Sequence, residues 1–211
     1  MEPPKEIKEN KLLLVEGADA YYFCIWAYQA FGAAGIQVLD FGGIADLSLY
    51  LRLLSHLPNF EKVSTLVIAR DAEDNPTGAI KSIKSTLRKI GLPAPAEPFS
   101  FKGDKPRLAY MIFPGLVKNK GGKTSCKPGT LEDLCLAIVR QDVVMECVEE
   151  YTRCLKGKGL LIRHLHKLKL HAYLSGKNEF AGLKIGEAAK AGAWDWGHEK
   201  LEPFRKIIQN M

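Results

Sequence analysis

The chain has 211 residues, 46% of them apolar and 26% charged, which is enough apolar material for one sizeable domain and gives no compositional bias toward disorder. Thirty Lys and Arg against 24 Asp and Glu leave a net charge of +6, a balance that permits nucleic-acid binding without specifying it. With no apolar run near the ~20 residues of a membrane span, five scattered cysteines that never form a C-x-x-C pair, and a polar start without a signal-peptide core, neither a membrane span nor a disulfide framework is expected, and the chain reads as a soluble cytoplasmic protein.

Residues 1–10 form a polar lead-in. The run 11–15 reads as a short buried strand that ends on Glu16 and turns at Gly17. Asp19 stands at an N-cap position before an aromatic-rich helix through Tyr21, Tyr22, Phe23, Trp26 and Tyr28, ending near Gly32. Those aromatics read as core rather than as a base-stacking platform. Residues 35–41 give a second strand with Gly42-Gly43 as its exit, and Ile44, Leu47, Tyr50, Leu51 and Leu54 then repeat at helical spacing until Pro58. The third strand, 63–69, is apolar and β-branched and runs into Arg70-Asp71-Ala72-Glu73-Asp74. A helix over about 77–90 carries Ile80, Ile83 and Leu87 on one face, with Lys81, Lys84 and Arg88 around it, and Gly91 ends it. The order βαβαβα with short links predicts a parallel sheet between helical layers.

After a Pro-rich linker, the strand-like runs 98–102 and 107–113 either pair through the Gly103-Asp104 turn or join the sheet separately. Residues 114–129 read as a loop rich in Gly, Lys and Pro, and the pattern is helical over about 131–155, 159–174, 184–190 and 201–209. Thr130 with Asp133 makes an approximate capping box. A boundary near residue 129 separates an α/β domain, 1–129, from a helical extension, 130–211, expected to pack on it.

In an open parallel sheet, ligands collect beyond the carboxyl ends of the strands. Glu16 and Asp71 both follow predicted strands there, and Asp71 and Glu73 project to one side if the segment between them is extended. Hard oxygen ligands of this kind suit Mg2+, which keeps several waters and needs only two or three carboxylates. Such an ion can polarise a phosphoryl oxygen and activate water. On spacing alone, solvated loop acids and helix caps explain the same residues equally well.

Leu13-Leu14-Val15-Glu16-Gly17, followed after one strand-helix-strand passage by Val67-Ile68-Ala69-Arg70-Asp71-Ala72-Glu73, resembles the Toprim domain. That fold is shared by topoisomerases, bacterial primases, small recombination proteins and overcoming-lysogenization-defect nucleases. Gly42-Gly43, Gly129-Thr130-Leu131-Glu132-Asp133-Leu134 and the stretch from Gly186 to Asp195 are similar to small standalone Toprim-like proteins of unknown function. The resemblance covers about residues 10–115. It implies a three-layer Toprim-like sandwich on a mainly parallel sheet, with Glu16 and Asp71 catalytic. Glu16, Asp71, Glu73, Asp74 and Glu132 are then the metal ligands for Mg2+, with Mn2+ as an alternative. The chain departs from the family pattern at two points. The second acid of the D-x-D is Glu73, with Asp74 adjacent, and Ala18 and Ala20 stand where a Lys and a further acid often follow V-E-G. Glu132 and Asp133 are the candidates for a downstream ligand, against the plainer reading of first-turn acids matched to the helix dipole.

Gly121-Gly122-Lys123-Thr124 lacks the first glycine of a phosphate-binding loop, since Val117 stands in its place, and Pro128 blocks an immediate helix; no ATP site is expected. Lys118, Lys120, Lys123 and Lys127 still form a basic loop able to touch phosphates. Residues 156–171 hold Arg163, Lys167, three further lysines and three histidines without an acid. Leu161, Leu165, Leu168 and Ala172 recur at helical spacing there, so one face packs while the other follows a nucleic-acid backbone or is simply solvated. Lys123, Arg163 and Lys167 are the nucleic-acid-binding candidates. No G-x-S-x-G elbow proposes a serine nucleophile. The expected function is Mg2+-dependent, nuclease-like phosphodiester chemistry on DNA or RNA. The alternative is a non-catalytic Toprim-like module that binds nucleic acid, a protein partner or a second copy of itself.

Overall fold

The computed structural model of the chain describes residues 5–118, 122 and 124–211. Strands β1 (Lys11–Val15), β2 (Ile36–Asp40), β3 (Thr65–Asp71) and β4 (Arg107–Phe113) form a four-stranded parallel sheet in the order β2-β1-β3-β4. β1, β3 and β4 carry continuous apolar runs because both faces of the sheet are covered, while the edge strand β2 includes Gln37 and Asp40. Leu13, Val15, Val67, Ala69, Ala109, Met111 and Phe113 point to one face, and Leu12, Leu14, Leu66, Ile68, Leu108, Tyr110 and Ile112 to the other.

The second face is covered by helices α2 (Leu47–Ser55) and α3 (Pro76–Lys89). The first is covered by α1 (Ala18–Ala30) and by the C-terminal helices α4 (Leu131–Ile138), α5 (Val144–Gly157), α6 (Leu165–Ser175), α7 (Ile185–Lys190) and α8 (Glu202–Gln209), whose buried residues belong to the same hydrophobic cluster. The architecture is α/β, a parallel sheet sandwiched by helices, with further helices laid over the α1 side. No helix among the described residues is long and apolar enough to cross a membrane.

Four details differ from the sequence reading. The helix expected over 131–155 is broken into α4 and α5. Asp142 holds the break: one carboxylate oxygen accepts from the Val144 amide at 2.9 Å, while the other takes Lys177 at 2.6 Å and the Tyr173 hydroxyl at 3.2 Å. The helix expected to begin at 159 begins at Leu165, after a connector in which Gly159 sits at φ 76. Residues 98–102 form no strand, but Lys102 and Leu108 make the bridge across the Gly103-Asp104 turn with two bonds of 2.8 Å. Within the expected loop 114–129 lies an antiparallel hairpin, β5 (Leu116–Lys118) and β6 (Thr124–Cys126), whose three-residue strands are too short to show periodicity.

Candidate metal centre

Strands β1 and β3 are neighbours, and their pairing runs in register to Val15↔Ala69. One step further along each strand sets Glu16 beside Arg70 and Asp71 at the carboxyl edge of the sheet. The chain leaves β1 through Gly17, at φ 85, a conformation that a side chain would strain. Asp40, at the end of β2, fixes this turn: its Oδ1 accepts from the Gly17 and Gly42 amides, both at 2.8 Å. Glu16 is thereby held at the edge with only 20% of its side chain exposed. Burial raises its pKa; the Arg70 guanidinium opposes that, the Glu73 charge adds to it, and the backbone amides of Asp71 and Ile44 oppose it again.

Asp71 is the last residue of β3, and its Oδ1 accepts from the Leu131 amide at 2.9 Å, which ties the start of α4 to the strand end. Burial and then the charge of Glu132 push its pKa up to about 7; the Leu131 amide opposes this, while Glu16 and Glu73 add to it. Glu132 itself is 8% exposed. Burial raises its pKa, but the Thr130 hydroxyl, its own amide and Lys167 outweigh burial and hold the carboxyl below its ordinary range. Lys167 Nζ lies 3.1 Å from Glu132 Oε1. Asp19, in the first turn of α1, is raised by desolvation and by the same Glu132 charge.

The extended geometry assumed for Asp71 and Glu73 does not form. Glu73 lies at φ 52, Ala72 is turned into the core, and Glu73 bridges Gly129 through bonds of 2.9 and 2.8 Å. The Glu73 charge nevertheless acts on both Glu16 and Asp71. Asp74 is exposed and is not among the leading charges on either group. Asp133 turns back onto its own helix, where Oδ2 accepts from the Thr130 amide at 2.9 Å, so the capping box is real and Glu132 is the acid that faces Asp71.

Among the described residues, no three His, Cys, Asp or Glu side chains form a ready-made metal cage. A hydrated Mg2+ does not require one, since it binds through one or two carboxylates and several waters. The donors present fit such an ion. Glu16 Oε2 is buried without a hydrogen-bond partner, and Asp71 is loaded with like charges that a divalent cation would relieve.

The basic candidates are placed differently. Lys123 lies outside the described residues. Arg163 is exposed in the connector before α6, so the continuous cationic helix is not formed. Lys167 points to the acids instead, and Lys169 pairs with Glu149. Sequence reasoning passed over Asp40, although it stands at a strand end just as Glu16 and Asp71 do. Asp19 and Thr130 read only as helix caps in the sequence; Gly17, not Asp19, is the N-cap of α1, and the proximity of both residues to the site depends on how α1 and α4 pack.

The placement of Lys167 yields a test. Lys167→Met leaves the Glu132 charge uncompensated beside Asp71, so the Asp71 titration midpoint moves up by about half a unit to one unit, followed by carboxyl 13C NMR. Arg163→Met leaves it in place. Equal midpoints in all three proteins would remove Lys167 from the site.

Residues 10–211 match the family model described as "Protein of unknown function (DUF3226)". No curated protein matches the chain. Among solved structures, the C-terminal region of the Xanthomonas campestris pv. campestris OLD protein, phased with mercury, is similar at 16% identity over 97% of this chain and 96% of that chain, with a TM-score of 0.48. At that level the likeness bears on no activity.

Proposed function

We propose, for a chain that belongs to the DUF3226 family of proteins of unknown function, that the acidic edge of the sheet supports Mg2+-dependent, nuclease-like cleavage of phosphodiester bonds in DNA or RNA. The observation that carries this reading is electrostatic. Glu16, Glu73 and Glu132 all act on Asp71 at the carboxyl ends of two adjacent parallel strands, and burial with their charges lifts it to about 7. A buried acid perturbed by neighbouring like charges at the carboxyl ends of parallel strands marks a candidate functional site. The resemblance of the Glu16 and Asp71-Ala72-Glu73 motifs to the Toprim domain points the same way.

Asp71 and Glu16 would hold the ion together with its waters, with the Glu73 charge acting on both. When bound, Mg2+ polarises the phosphoryl oxygen and lowers the pKa of a coordinated water. Asp40 keeps the Gly17 turn, and therefore Glu16, in place. Glu132, kept ionised by Thr130 and Lys167, serves as the assisting acid, a role for which Asp74 is less well placed. Lys167, opposite Glu132, adds positive charge beside the reacting phosphate.

The test is cleavage of labelled single- and double-stranded DNA and RNA with Mg2+, Mn2+ or EDTA, beside Glu16→Gln and Asp71→Asn. The expected result is metal-dependent cleavage that falls at least about a hundredfold in both variants. Salt-sensitive binding that survives both substitutions, without cleavage, would instead assign the chain to non-catalytic binding modules.

A further inference from the structure

Arg70 is a charged residue of the acidic edge to which the proposed chemistry gives no role. Its side chain is 7% exposed, and it sits at the end of β3 between Glu16 and the backbone of Asp71. A buried guanidinium is ordinarily satisfied by a planar fork onto a carboxylate, with N–H···O distances of about 2.7–2.9 Å. Arg70 makes no such fork with Glu16. Its Nε donates to the Asp71 carbonyl at 3.2 Å and stands 3.5 Å from Glu16 Oε2. Arg70 Nη1 and Glu16 Oε2 are both buried without a hydrogen-bond partner. Charge holds the pair together, and hydrogen bonding does not. The guanidinium cannot shed its proton to escape burial, and the carboxylate keeps an oxygen uncommitted.

We propose that Arg70 is the resident counter-ion of this site, competing with a divalent cation for the Glu16 carboxylate and yielding it when the cation binds. The inference rests on the metal reading given above. A divalent ion carries twice the charge and approaches an oxygen to about 2.1 Å, so it outcompetes a guanidinium held at 3.5 Å. In the metal-free protein, Arg70 stands between Glu16 and the Asp71 backbone and offsets the negative charge gathered there. The acidic edge can therefore fold without metal, and metal affinity is set partly by a residue that is not a ligand.

The experiment measures Mn2+ binding by the EPR signal of the free ion, on wild type, Arg70→Met and Arg70→Lys at one ionic strength. Removing the positive charge should tighten Mn2+ binding about tenfold or more, while the lysine variant stays near wild type. Unchanged or weaker binding by a folded Arg70→Met protein overturns the proposal. Because that variant leaves Glu16 without its partner and can unfold, a second measurement uses wild type alone. Mg2+ titration should move the Arg70 Nε–H resonance in 15N NMR in step with binding, and an unmoved resonance at saturating Mg2+ overturns the exchange. Absence of Mn2+ binding in wild type and Arg70→Met alike would sink the metal reading itself, a separate failure from that of the exchange.

Discussion

Asp71→Asn is expected to raise the thermal stability of the metal-free protein at pH 8 and, on the proposed metal reading, to lower metal-dependent cleavage at least about a hundredfold. The Asp71 carboxyl sits at about 7 in the folded state against an ordinary 3.8, chiefly from burial and the Glu132 charge. A raised folded value means that the native state holds the proton more tightly than the unfolded chain. The stability this contributes is fully present below the unfolded value and is lost as pH rises through about 7. At pH 8 the ionised carboxylate is therefore a burden, worth about 4 kcal/mol at most and about 2–4 kcal/mol once the neighbouring acids relax with it. Asparagine keeps an Oδ1 to accept the Leu131 amide and removes only the charge. For a chain of this size about 1 kcal/mol is worth about 2–4 °C, so a gain on the order of 5–10 °C is expected at pH 8. The gain shrinks through pH 6 and vanishes near pH 4, where wild-type Asp71 is protonated too. Melting curves in EDTA at the three pH values check this, and an equal gain at all of them would show that packing rather than charge is responsible. On the proposed metal reading, added Mg2+ is expected to stabilise the wild type more than the variant, which lacks one ligand carboxylate.

How much of this arrangement the residues reveal depends on the range of the interaction. Strands β1 and β3 are legible because covering on both faces demands unbroken apolar runs, and Glu16 and Asp71 stand out as abrupt acids at their ends. The nearness of the two acids does not follow from the βαβαβ order alone: it requires β2 to lie on the outer side of β1, so that β1 and β3 become parallel neighbours in the order β2-β1-β3-β4. What fails is whatever rests on a distant partner. Asp71 meets the first amide of α4 across 60 residues, so a short-range pattern can nominate Glu132 but not bring it to the site. Nothing in 131–155 interrupts the helical pattern, because Asp142 breaks it through Lys177 and Tyr173, which lie more than one helix further on. Lys167 looks like one cation in a basic run until its acidic partner is known. Glu73 fails for a local reason: alternation holds only where the backbone is extended, and at φ 52 it is not.

Gly186→Ala, the addition of one methyl group, is expected to destabilise the protein by about 1–3 kcal/mol or more. Gly186 opens the stretch from Gly186 to Asp195 singled out in the sequence, and it lies in the first turn of α7, against α1. A Cβ at this position would stand 2.2 Å from the Cβ of Tyr22, 3.1 Å from its Cγ and 3.4 Å from its Cα. These atoms are the root of the side chain, so no rotation of Tyr22 removes the clash, although its ring reaches solvent with the residue 53% exposed. One helix must move away from the other. Ala188 and Ala189, at 0% and 3% exposure, pack beside it and would lose contact with their neighbours. Alanine favours a helix over glycine by about 1 kcal/mol, so the propensity gain only partly offsets the overpacking. Tyr22→Ala should not rescue the variant, because alanine keeps the offending Cβ. Tyr22→Gly should, less the cost of a glycine within α1. Denaturant unfolding of the two double variants decides between steric and other causes, and rescue by Tyr22→Ala would contradict the steric account. The effect reaches the acidic edge as well, since α1 begins at Ala18, two residues beyond Glu16. A displaced α1 pulls on the Gly17 turn that Asp40 holds, so Gly186→Ala should also weaken Mn2+ binding, in proportion to the stability lost.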